Sequence, residues 1–156
     1  MTRTAEHVLR LERTFSARRE RVFAAWTDPE LLRRWAPSGI RIGHAEADVR
    51  VGGRFLTEMI LEDSGERHVV VGTYLEIEPP ARLRFTHGWL HEGEEPEDVD
   101  LRATTVTMEL VDEGPRTRMI FTQTGFPHEA SRDGHREGWE SAFASLDALL
   151  ALQEDV

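Results

Sequence analysis

Residues 40–125 alternate apolar and polar with a period of two, and the chain then switches to a helical period. In that last segment Trp139, Phe143, Leu146 and Leu150 recur at steps of four, three and four, and Ala142 and Leu149 widen the stripe. A stripe of this width has to be covered. The only apolar surface large enough to cover it is one face of the sheet that the alternating residues build, so the chain must lay a long helix across a sheet.

Turn signals at Gly52-Gly53, Asp63-Ser64-Gly65, Pro79-Pro80 and Glu113-Gly114-Pro115 divide residues 40–125 into six strands. Phe55, Thr57, Met59 and Leu61 share a face; so do Leu83, Phe85 and His87, then Val106, Met108 and Leu110, then Met119 and Phe121. Connections of hairpin length imply an antiparallel meander. A further strand is expected over His7–Phe15, with Ser16 placed to cap a helix over 17–27 that buries Val22, Phe23 and Trp26. Asp28-Pro29 starts a short second helix with Leu31, Leu32 and Trp35 on its buried side. The expected fold is α+β: a curved antiparallel sheet of about seven strands wrapped on a long C-terminal helix that starts near Pro127, with two short helices after the first strand. No repeat or linker divides the chain, and residues 1–156 are read as a single domain. The segment between Trp89 and Arg102, with Glu92, Glu94, Glu95, Glu97, Asp98 and Asp100, reads as a mobile acidic surface loop.

Charge and composition narrow the partners. Asp and Glu outnumber Lys and Arg by 29 to 19, a formal charge of −10. Such a surface repels phosphate backbones and anionic lipids, so nucleic acid and membrane partners are not expected. The absence of cysteine excludes disulfides, thiolate metal sites and a cysteine nucleophile. Residues 1–7 have no apolar leader region, and no stretch reaches the ~20 apolar residues of a membrane span. The chain is read as cytoplasmic, with a homodimer left open.

In chain order, particular residues carry a family resemblance. These are Phe15-Ser16-Ala17 leading to Val22-Phe23-Ala24-Ala25-Trp26-Thr27-Asp28-Pro29; Trp35-Ala36-Pro37; Glu46-Ala47-Asp48-Val49-Arg50-Val51-Gly52-Gly53-Arg54-Phe55; Ile77-Glu78-Pro79-Pro80 with Arg82-Leu83; and His135-Arg136-Glu137-Gly138-Trp139. Together they resemble the activator-of-heat-shock-protein-90-ATPase-like branch of the START/polyketide cyclase (SRPBCC) superfamily. The resemblance implies a helix-grip fold with a cavity beneath the long helix, used across the superfamily for sterols, polyketides and other hydrophobic ligands. It fits Gly52-Gly53 as a tight turn with positive φ and Gly138 as a point where the helix backbone approaches the sheet.

Three histidines are placed to approach such a cavity: His44, His87 and His135. Imidazole titrates near neutrality, so His87 or His135 could move a proton; the blander reading is that each is a satisfied polar group in an apolar wall. No short-spaced histidine pair marks a metal site, and nothing demands a cofactor. Glu46, Asp48 and Glu58 read as sheet-surface charges, although a bulge could turn Glu58 or Arg54 inward. The expected ligand-binding set is Trp35, Phe55, Met59, His87, Trp89, Met108, Phe121, His135, Trp139 and Phe143, drawn from every part of the chain. Three functions are weighed on this basis. The first is binding of a small hydrophobic molecule with the Trp89–Arg102 segment as part of its gate. The second is a cyclase or hydrolase acting on an aromatic or polyketide-like substrate. The third is a module that stimulates a chaperone ATPase.

Overall fold

The computed structural model describes residues 7–153; the reading of residues 1–6 as free of a leader lies outside them. In chain order the elements are β1 (His7–Phe15), α1 (Arg19–Thr27), α2 (Pro29–Leu32), β2 (Ile40–Ala47), β3 (Arg54–Leu61), β4 (Arg67–Glu78), β5 (Arg82–Leu90), α3 (Pro96–Asp100), β6 (Thr104–Glu113), β7 (Arg116–Phe126) and α4 (Glu129–Gln153). The strands form one curved antiparallel sheet in the order β1-β7-β6-β5-β4-β3-β2. Strands β2 to β7 are a meander, and β1 closes against the last strand, so the open edges are β1 and β2. Register shifts at His7/Leu9, Ile42/His44 and Tyr74/Glu76 mark local bulges, the device by which a sheet bends. Gly52, at φ +86°, makes the β2–β3 turn in a conformation that side chains disfavour. The architecture is the α+β arrangement of a helix across an antiparallel sheet expected from the period change, and it is the helix-grip fold that the resemblance implies.

Local differences have clear causes. Ser16 is exposed and does not cap α1; the N-cap is Arg18, whose side chain makes no capping bond. The entry is instead fixed from below: Ala17 is buried, and its carbonyl accepts from Thr117 Oγ1 at 2.7 Å. Helix α2 ends at Leu32 and fully buries no residue. Trp35, expected on its face, lies beyond its end, where its indole donates to the Ala25 carbonyl at 2.9 Å and its ring meets Trp26 edge-on at 4.9 Å.

The acidic segment is not a plain loop. It contains α3, entered through an Asp98 carboxylate that accepts from the Glu95 N–H at 2.9 Å, and it buries Val99. Only a glycine at position 88 leaves Val99 room against β5. Arg54 reaches across to Asp100 at 2.9 Å, and Arg102 binds Glu94 at 2.7 Å and the Trp89 carbonyl at 2.8 Å. Charges that looked like a solvated run therefore fasten the segment to the sheet.

The packed core lies under the second half of α4. Ala142, Phe143, Leu146, Leu149 and Leu150 are buried against a floor that includes Leu9, Phe15, Met108, Met119 and Phe121. No residue from Glu129 to Ser141 is buried. One half of the helix seals the core, and the other half stands over a hollow.

Candidate functional site

That hollow has a volume of about 500 Å³, inside the roughly 300–1,000 Å³ usual for small-molecule sites. Strands β2 to β5 supply its floor, and α1, the turn after α2 and the first half of α4 close it. Its walls are aromatic and aliphatic, and among the described residues no Asp, Glu, Lys or Arg lines it. The Ser38 N–H donates to Ser141 Oγ at 2.7 Å, tying the turn after α2 to the helix. Gly134 is exposed while also lining the hollow, which places an opening beside it.

Gly138 differs from the sequence expectation. A β-carbon there, or at Gly134, meets nothing within 4 Å. These glycines do not let the helix backbone press on the sheet; they leave space above it.

Of the ten residues expected to bind a ligand, Trp35, Phe55, Met59, His87, Trp89, His135 and Trp139 line the hollow. Met108, Phe121 and Phe143 do not: they lie in the packed interior, and Phe121 stands 4.7 Å from the Trp139 ring and 5.4 Å from Phe143. His44 is on the other face of the sheet, exposed and 2.8 Å from Glu46. In the sequence it keeps phase with Ile40 and Ile42, which both line the hollow; the bulge between Ile42 and His44 reverses that phase. Gly43, within strand β2, was the available signal, since a side chain there would collide with Glu58. Glu58 pairs with Arg67, and Asp48 with Arg50 at 2.8 Å. With Arg54 on Asp100, none of these charges enters the hollow.

The histidines sit at one end. His135 Nδ1 is 2.8 Å from the Ser131 carbonyl, and its Nε2 is 3.2 Å from the Trp89 indole nitrogen. A carbonyl only accepts and an indole only donates, so the ring is neutral, protonated at Nδ1, with both nitrogens engaged. His87 is 7% exposed, 5.9 Å from the His135 ring, and its Nδ1 has no partner. Burial, the largest cause, holds its pKa down at about 3. Burial likewise pushes the Tyr74 phenol up to about 12, so it stays protonated.

Sequence reasoning missed Gln123. It is fully buried, accepts from the Trp139 indole at 2.8 Å and donates to Thr104 Oγ1 at 2.8 Å, and Thr104 in turn donates to the His87 carbonyl at 2.8 Å. This chain holds the roof residue Trp139 and the His87 strand in fixed relation. Its signal was a polar residue in phase with Met119 and Phe121. Trp26 was read as helix packing only; it also lines the hollow.

The depressed His87 pKa gives stability a pH dependence. Imidazole in the unfolded chain takes a proton near 6.5, whereas His87 in the fold takes one only near 3. Between these values the unfolded state holds more protons, so this contribution is complete above about pH 6.5 and is lost as pH falls toward 3. Urea unfolding at pH 4 to 6.5 is expected to show a shallower slope for His87→Leu, by up to about 1.4 kcal/mol per pH unit. Parallel slopes in the two proteins would show that His87 does not titrate in this way.

A curved sheet gripping a helix over an apolar hollow defines a helix-grip protein. The family described as "Activator of Hsp90 ATPase homolog 1-like protein" matches residues 16–151, and the chain belongs to that family. Among solved structures, protein CV1439 from Chromobacterium violaceum is 30% identical, covering 92% of this chain and 97% of its own, with a TM-score of 0.80. The AHSA1 protein SPO3351 from Silicibacter pomeroyi is 27% identical over 95% of this chain and 100% of its own, with a TM-score of 0.79. A protein from Arthrobacter aurescens is 28% identical over 94% and 87%, with a TM-score of 0.78. No curated protein matches the chain. No helix among the described residues is long and apolar enough to cross a membrane.

Proposed function

We propose that this protein, acting as a single cytoplasmic domain, binds a small hydrophobic molecule in the hollow between sheet and helix α4. The observation that carries this reading is the first half of helix α4, where no residue is buried: about 500 Å³ of apolar-walled space lies beneath Gly134, Gly138 and Trp139. Closing such a space with side chains would stabilise a purely structural core, because each Å³ of void costs about 24 cal/mol. A guest recovers the contacts that the empty walls forgo.

The histidines argue less for catalysis. His135 has no free nitrogen, and a base held at a pKa of about 3 is poorly matched to proton transfer near neutrality. A chaperone-stimulating role draws on the family description alone, and a pull-down with an ATPase assay tests it separately. The binding function is tested by titrating a neutral lipophilic dye such as Nile red and by native mass spectrometry of the purified protein with organic extraction. Saturable blue-shifted fluorescence, or an extractable organic mass, is expected. A protein that carries nothing and binds no such dye does not have this function.

A further inference from the structure

We propose that the guest is an uncharged molecule, mainly hydrocarbon, with a hydroxyl at the end that docks against His87. This inference rests on the binding function above and names the chemistry of its ligand.

Charge is excluded by the walls. A carboxylate in the hollow would find no Lys or Arg, and burying it unpaired or protonating it first carries a cost that a neutral guest avoids. A second hollow of about 480 Å³ shares Ile40, Met59, His87, Trp89, Ser131 and His135 with the first. Its own cation, Arg102, is already bound by Glu94 through both terminal nitrogens, at 2.8 and 2.7 Å, and by the Trp89 carbonyl. Neither hollow therefore holds an anion anchor, and the formal charge of −10 opposes anions at long range.

The position of the polar end follows from which groups are already paired. Apart from Thr57 and Tyr74, the hydroxyl and imidazole groups lining the first hollow are those of His87, Ser131 and His135, all on the wall shared with the second. There the Trp89 indole and both His135 nitrogens satisfy one another with the Ser131 carbonyl, and Trp139 is satisfied by Gln123. The His87 ring is left, with the Ser131 hydroxyl on the same wall. Its Nδ1 is enclosed without a partner, so Nε2 is the nitrogen that can meet a guest. A neutral imidazole nitrogen donates or accepts according to tautomer, and a hydroxyl can answer either, whereas an ether only accepts.

The test uses the full chain with Nile red as reporter and three competitors of equal chain length at pH 7.5: 1-decanol, decyl methyl ether and decanoate. In the wild-type protein decanol is expected to displace the dye at a concentration roughly tenfold below decanoate, and about fivefold below the ether, the size of one net hydrogen bond. His87→Leu is expected to abolish the preference of alcohol over ether, and His87→Gln to retain part of it, with near-ultraviolet circular dichroism checking the fold. Best displacement by decanoate overturns the inference, and so does an alcohol-to-ether ratio near one in the wild-type protein, for which no variant is needed. An unchanged ratio in folded His87→Leu overturns the role of His87. Failure of Nile red and of all three competitors to bind the wild-type protein removes the binding function itself, a result distinguishable from dye binding without selectivity.

Discussion

Replacing Gly138 by leucine is expected to weaken binding of a neutral apolar dye by at least about tenfold while leaving the fold as stable as before or more so. A side chain at this position starts in open space, since nothing lies within 4 Å of the β-carbon, and extends where a guest would sit. The helix gains from the change, because glycine in a helix interior costs about 0.8–1 kcal/mol relative to alanine and leucine is nearly as good as alanine. A rise in Tm of about 2–4 °C follows for a domain of this size. Gly138→Ala is the control: it is expected to gain the same stability and to leave most of the volume in place. Dye titration and a thermal melt read the two effects separately. Undiminished binding in Gly138→Leu would place any guest elsewhere, and a lower Tm would mean that the helix backbone is not free to carry a side chain there.

Phe121→Ala is expected to cost about 3–5 kcal/mol of stability, whereas Met59→Ala, at a half-buried site, costs about 1 kcal/mol or less. Both residues were grouped as ligand contacts from their period and type, and the fold separates them. Phe121 is fully buried, touching Trp26, Trp139 and Phe143, so truncation opens a sealed void among rings that cannot collapse. Met59 is half-buried and borders a space that is already empty, so its loss only enlarges it. Urea denaturation of the two variants measures the difference. Equal costs would mean that side chains pack solidly around Met59, contrary to the hollow.

The same contrast shows how far a sequence reaches. Leu83, Phe85 and His87 do share a face, as do Val106, Met108 and Leu110, because a strand's side chains alternate regardless of context. Period alone does not say which part of a shared face is packed and which is hollow. Met108 and Phe85 are equally apolar and face the same interior, yet Phe85 lines the space and Met108 is sealed beneath α4. His44 failed for a sharper reason: a single bulge between Ile42 and His44 inverts the phase of the strand, at a glycine whose missing side chain leaves room for Glu58 of the neighbouring strand. Gln123 was legible as a polar residue in a core phase, but its partners come from β6 and α4.

By itself the sequence determined the order of elements apart from α3, the meander of β2 to β7 and the long covering helix, because periods of two and of 3.6 residues are local consequences of backbone geometry. It also carried the family, in words spread along the whole chain. Only the tertiary structure decided that the helix seals the sheet from Ala142 onward and leaves it open before, that Gly138 spares volume instead of closing a gap, and that one imidazole is left unpaired at the end of the cavity. Those properties depend on the distance and angle between elements far apart in sequence, which side-chain volumes and cross-strand contacts set together.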